Sequence, residues 1–137
     1  MDISIGTDIV YIPRIRRAVE RFGTHFLARV YTSTEQQGYK IAQQSASPKD
    51  PAIAYLAGRW AAKEAVVKAL GTGWTGLNYT DVEIDRQQNG VPRIVLYGTA
   101  ATRLQERGVP QWKLSISHDQ DYAIASALLI VHPHLQS

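Results

Sequence analysis

From Ala52 to Leu70 the chain carries one long helix-forming stretch, set off by Asp50 and Pro51 before it and stopped by Gly71 after it. Leu56, Trp60, Val67 and Leu70 make an apolar stripe along it, and Ala61, Ala62, Ala65 and Ala69 let neighbouring backbone come close. The rest of the chain has to pack around this element. On its shoulder sit Glu64 and Lys68, four apart and so on one side, with Trp60 one turn before them.

A length of 137 residues suits a single domain with a real core. Hydrophobic residues make up 45% and charged residues 20%, which argues against long disordered segments. The formal charge of +3 is too small to imply a nucleic-acid partner. Its distribution is more telling, because six of the 15 lysines and arginines fall between Arg14 and Lys40. With no cysteine, neither a disulfide framework nor a thiolate metal site is possible, and a reducing compartment fits. Met1 to Gly6 lacks the basic region and apolar run of a signal peptide, and no later stretch is apolar enough to span a bilayer. A cytoplasmic protein with no membrane association is expected.

Ile3 to Val10, rich in isoleucine and valine, reads as a strand that bends or ends near Asp8. Pro13 opens a helix whose face of Ile15, Ala18, Val19, Phe22 and Phe26 turns inward, with Arg14, Arg17 and Arg21 clustered on its flank. Thr32-Ser33-Thr34-Glu35 predicts a capping box and a further helix through Tyr39 and Ile41, fading by Ser45. Gln43 to Pro51 reads as a surface loop. Beyond the glycine-rich turn Gly71 to Gly76 the second half is strand-rich, with Val82 to Ile84 and Arg93 to Tyr97 about an Asn89-Gly90 hairpin. A short helix over Thr99 to Arg107 and two strands, Trp112 to Ser117 and Tyr122 to Val131, complete a domain spanning 1–131. Residues 132–137 read as a loose tail.

By spacing alone, Glu64 and Lys68 read either as a helix-surface ion pair of about 0.3–0.5 kcal/mol or as functional groups. A carboxylate on the shoulder of an apolar stripe, however, needs a cation or several donors to stay charged. Asp8 alone could cap a turn, but Asp8 with Glu64 is the amount of protein ligation that Mg²⁺ takes beside phosphate oxygens. Gly71 and Gly73 either cap the helix or let backbone N–H groups approach a phosphate. They form no nucleoside triphosphate P-loop, since the glycine run follows a helix and no Gly-Lys-Ser/Thr occurs. Ser117-His118-Asp119 is no hydrolase triad, because consecutive side chains diverge. His118 suits a phosphate or base contact, or is an exposed turn histidine. The remaining histidines have no zinc-ligand spacing. A non-catalytic basic module would account for the arginines but leave Glu64, Lys68 and the glycine turn without a role.

Taken in order, Ile5-Gly6-Thr7-Asp8-Ile9-Val10 with Arg14-Ile15, then Arg59 to Gly73, then Leu114-Ser115-Ile116-Ser117-His118 resemble the 4′-phosphopantetheinyl transferases of the small trimeric class. The resemblance spans nearly the whole chain and includes the Asn89-Gly90-Val91-Pro92 turn. It implies a single α+β domain with an antiparallel sheet packed against the long helix. The activity it implies is transfer of 4′-phosphopantetheine from coenzyme A to a serine of apo acyl carrier protein in fatty acid biosynthesis, releasing adenosine 3′,5′-bisphosphate. Under it, Asp8 and Glu64 hold Mg²⁺, Lys68 neutralises the pyrophosphate, and Glu64 or a metal-bound water that it orients accepts the serine proton. Gly71 and Gly73 then lie near the phosphates, Asn89, Gly90 and Pro92 near the adenine, and His118 in the coenzyme A site. Arg14, Arg17 and Arg21 dock the acidic carrier protein, and the chain forms a homotrimer with active sites between subunits. Trp60 stands where phenylalanine is usual in the small class, and Gln43 to Pro51 is a longer loop than typical. A polyketide or peptide synthetase carrier domain is the alternative acceptor.

Overall fold

Isoleucines alternating with small and polar residues give a ten-residue strand, β1 (Asp2–Tyr11). In the computed structural model, which describes residues 1–135, β1 pairs without interruption as far as Tyr11. The bend expected near Asp8 is absent, because the neighbouring strand offers a backbone partner at every position. That neighbour is β5 (Tyr122–His132), which is flanked on its other side by β4 (Val109–Asp119), giving an antiparallel sheet in the order β1-β5-β4. Pro110 is tolerated because β4 is an edge strand. The β4–β5 turn is tighter than expected, with only Gln120 and Asp121 outside the strands.

The basic helix is two helices. α1 (Ile12–Phe22) ends at Gly23, whose φ of 54° breaks the screw, and α2 (Thr24–Val30) restarts in a new direction. Phe22, assigned to the inward face on an unbroken helix, is 53% exposed, whereas Phe26 packs against the core. The capping box of α3 (Ser33–Ala42) forms as expected, with Thr32 and Glu35 bonding reciprocally. Asp50 caps α4 (Pro51–Leu70), its carboxylate accepting from Ile53 N at 3.3 Å.

α4 is buried on nearly every side, with Leu56, Ala57, Ala61, Ala62, Ala65 and Val66 fully enclosed. Its alanines let β1 and β5 pass beneath it while α1 and α3 cover it. A short 3₁₀ turn, Tyr79–Asp81, leads into the hairpin of β2 (Val82–Arg86) and β3 (Pro92–Leu96), followed by α5 (Gly98–Arg107). One face of the three-stranded sheet thus lies on α4. The other carries Ile3, Ile5, Ile9 and Tyr11 of β1 opposite Ile130, Leu128, Ile124 and Tyr122 of β5. Of these, Ile3, Ile5, Ile9 and Tyr122 are each more than half exposed. Gln136 and Ser137, the end of the expected tail, lie outside the described residues.

Candidate active site

Gly6 lets β1 lie directly on α4. A Cβ at this position would collide with the Ala65 carbonyl and the Ala69 amide, and Ser4 Oγ donates to Ala69 O at 2.6 Å. Two residues further on the same face of β1, Asp8 reaches the flank of α4 that carries Lys68. Lys68 Nζ lies 3.3 Å from Asp8 Oδ1 and donates to Thr7 O at 2.9 Å. The Asp8 side chain is 18% exposed and that of Lys68 is 55% exposed, so the lysine is free to exchange this partner for another anion.

Glu64, one turn before Lys68, finds different partners. Its Oε2 accepts from Trp74 Nε1 and its Oε1 from the Tyr79 hydroxyl, both at 3.2 Å. The Trp74 and Tyr79 rings lie 4.1 Å apart, Tyr79 stacks on Trp60 at 5.1 Å, and Phe26 continues the wall beyond Trp60 at 6.2 Å. Burial first and the Glu64 charge second push the Tyr79 phenol up to about 12, so it keeps its proton and donates. The charges of Arg14 and Arg29 oppose that shift, which sets the basic flank of α1 and α2 on this side of the molecule. Arg14, Arg17 and Arg21 are all exposed along α1.

Behind this wall, Lys63 and Glu35 form a fully buried ion pair at 2.8 Å. Lys63 Nζ also donates to Tyr79 O at 3.0 Å and to Val82 O. Glu35 accepts from Thr32 N at 2.8 Å and Ile84 N at 2.7 Å. Both charges of this pair are therefore matched, as burial requires.

Just past Lys68, Gly71 caps α4 at φ 81° and Gly73 follows at φ 63°. At both, the place a Cβ would occupy has no atom within 4 Å, and the Gly71 N–H is taken by the Val67 and Lys68 carbonyls at 3.1 Å.

The other expected groups lie elsewhere on the chain. His118, Gly90 and Pro92 line a cleft of about 1280 Å³ together with Arg59, Arg86 and Ser115. Asn89 shapes the adjoining turn by accepting from Val91 N at 3.0 Å. Arg59 follows Gly58, which packs on Ile116 of β4. Five residues separate Arg59 from Glu64, roughly 140° around α4, so the two clusters occupy different flanks of one helix. The Arg59 guanidinium stacks on the Tyr55 ring at 4.1 Å and its buried Nε has no hydrogen-bond partner among the described residues. Burial lowers its proton affinity first, Tyr55 opposes this, and the Arg86 charge lowers it further. Arg59 and Arg86, with Arg16 and Lys49, give this cleft four cations against the carboxylates of Asp50, Asp119 and Asp121, enough to seat an anion beside the arginines.

A profile of the 4′-phosphopantetheinyl transferase superfamily matches residues 4–127. The chain belongs to that superfamily. Among its relatives in the family, the holo-[acyl-carrier-protein] synthase of Gloeobacter violaceus is 49% identical over 126 residues, covering 92% of this chain and 91% of the relative. That of Koribacter versatilis is 41% identical over 130 residues, covering 94% and 98%. In solved structures, the transferase fold matches the Chronobacterium ammoniagenes ACPS–CoA complex with a TM-score of 0.83 at 31% identity, over 96% of this chain and 99% of that one. It also matches the Helicobacter pylori holo-[acyl-carrier-protein] synthase in complex with coenzyme A, with a TM-score of 0.74 at 33% identity over 92% and 99%.

Arg59, Arg86, Trp74 and Tyr79 are the residues of these two clusters that the sequence reading did not single out. Arg59 heads the longest motif and Trp74 directly follows Gly73, and position was the only signal either gave. Tyr79 gave none. Among the described residues no helix is long and apolar enough to cross a membrane.

Proposed function

We propose that this transferase moves the 4′-phosphopantetheine group of coenzyme A to a serine hydroxyl of apo acyl carrier protein, the activity named in its relatives, and serves fatty acid biosynthesis in the cytoplasm. The observation that carries the reading is the Asp8–Lys68 ion pair at 3.3 Å with Glu64 one turn earlier on α4, within a family of this activity. In the reaction the serine oxygen bonds to the phosphorus that bears pantetheine while that phosphorus parts from the bridging oxygen. Adenosine 3′,5′-bisphosphate leaves with the bond electrons.

Such a transfer needs charge stabilisation and positioning more than covalent help. Lys68 releases Asp8 and turns to the pyrophosphate, where its charge stabilises the departing bisphosphate. Glu64 accepts the proton that the serine sheds. The donor set fits Mg²⁺: two carboxylates with no imidazole or thiolate beside them suit a hard ion that completes its shell with water and phosphate oxygens. Asp8 and Glu64 would hold that ion, and it would supply further neutralisation of the pyrophosphate.

Arg59, Arg86 and His118 serve the phosphates and base of coenzyme A from the cleft, with Gly90 and Pro92 along its rim. The cleft and the carboxylates lie on different flanks of α4, so the reading includes a homotrimer in which one subunit's cleft faces the next subunit's carboxylates. The bare apolar face of Ile3, Ile5, Ile9 and Tyr122 supports it, because a monomer gains nothing by leaving that face wet. Gly71, its N–H held in the helix cap, and Gly73 bring the turn near the phosphates without side chains in the way, and Arg14, Arg17 and Arg21 guide the acidic carrier to the Glu64 side.

Incubation with coenzyme A, Mg²⁺ and apo acyl carrier protein, followed by mass spectrometry of the carrier, tests the activity. A carrier heavier by one phosphopantetheine is expected. An unmodified carrier at high enzyme concentration contradicts the proposal.

A further inference from the structure

We infer that Trp74 and Tyr79 are positioning residues for Glu64, two aromatic donors that fix its carboxylate for the divalent ion and pyrophosphate. The inference rests on the functional reading above. A glutamate on a helix flank has three rotatable bonds and visits several rotamers when nothing holds its head. Here each carboxylate oxygen has its own donor, and neither donor comes from α4. The indole and phenol pack on each other, and Tyr79 packs on Trp60, which lies one turn before Glu64 on the same helix.

Tyr79 is held at both ends by consecutive residues of α4. Lys63 donates from the interior to its carbonyl, and Glu64 accepts from its hydroxyl at the surface. Lys63 is in turn fixed by Glu35 and the Val82 carbonyl. The buried ion pair therefore sets the place of the Tyr79 ring, and the ring sets the place of the carboxylate. Trp74 reaches Glu64 because the Gly71–Gly73 turn carries the chain back along α4. Groups that orient a ligating carboxylate commonly matter nearly as much as the carboxylate itself.

Trp74→Phe and Tyr79→Phe keep the ring wall and remove one donor each, and the pair can be combined. In the full chain with coenzyme A, Mn²⁺ binding read from the free ion's paramagnetic resonance reports the site without turnover. Each single variant should lose on the order of 10-fold in Mn²⁺ affinity and the double variant closer to 100-fold. In parallel, kcat should fall with KM for the carrier unchanged and the thermal midpoint near the parent's. A folded double variant that binds Mn²⁺ as tightly as the parent overturns the inference, and if the double variant does not fold, the single variants decide by the same criterion. A parent chain that leaves the carrier unmodified sinks the functional reading instead, whereas an active parent with unaltered Phe variants sinks only the positioning role.

Discussion

Glu64 has two aromatic donors and Asp8 has Lys68, so each carboxylate of the site is held in place by a different neighbour. Replacing Glu64 with glutamine keeps the volume but removes the charge and places an NH₂ group against one of two donors. Turnover should drop by about two orders of magnitude or more, with circular dichroism unchanged. Near-normal rates at saturating Mg²⁺ would refute the assignment. At this scale the sequence was informative where chemistry and spacing coincide: Glu64 and Lys68 share a helix flank at any register, and Gly6-Thr7-Asp8 stood out in an apolar strand. It misled on partners, since four-residue spacing suggested a Glu64–Lys68 pair whereas Lys68 turned to Asp8. Trp74 and Tyr79 were illegible because a non-periodic turn brings them to Glu64, and nothing in their local sequence encodes that return.

Strand β1 owes its seat on α4 to Gly6, and this contact carries Asp8 to the site. Gly6→Ala should destabilise the fold by about 1–3 kcal/mol or more, because a Cβ there meets backbone that cannot step aside; urea denaturation measures it. Behind the site, Glu35→Leu would leave Lys63 buried without its partner, at a cost of about 3–5 kcal/mol. An unaltered midpoint would show the pair to be dispensable. The long helix was legible from its flanking Pro51 and Gly71, and its burial on nearly every side was foreshadowed by its alanines. The apolar period that runs on from Phe22 to Phe26 hid the break at Gly23, whose positive φ divides the helix. The exposed arginines of α1 give a further expectation. Arg14→Ala with Arg21→Ala should raise KM for the carrier roughly threefold to tenfold, as expected for two screened charges of about 0.3–0.7 kcal/mol each. KM for coenzyme A should stay the same, and equal effects on both substrates would count against docking.

At the scale of the molecule, the chain holds half of the proposed site on each of two flanks of α4, and its sheet leaves Ile3, Ile5, Ile9 and Tyr122 exposed on one face. Neither property follows from local sequence, because strand alternation marks two faces without saying which of them the helices leave bare. The proposed trimer joins the Asp8–Glu64–Lys68 cluster of one subunit to the Arg59–His118 cleft of the next. Mixing two inactive proteins tests this directly: Glu64→Gln and His118→Ala chains are unfolded together, refolded as mixed oligomers and assayed for carrier modification. Random assembly should restore about a quarter of the parental rate, since each site then draws an intact half from both neighbours by chance. A mixture no more active than its two components refolded separately would contradict a site shared between subunits.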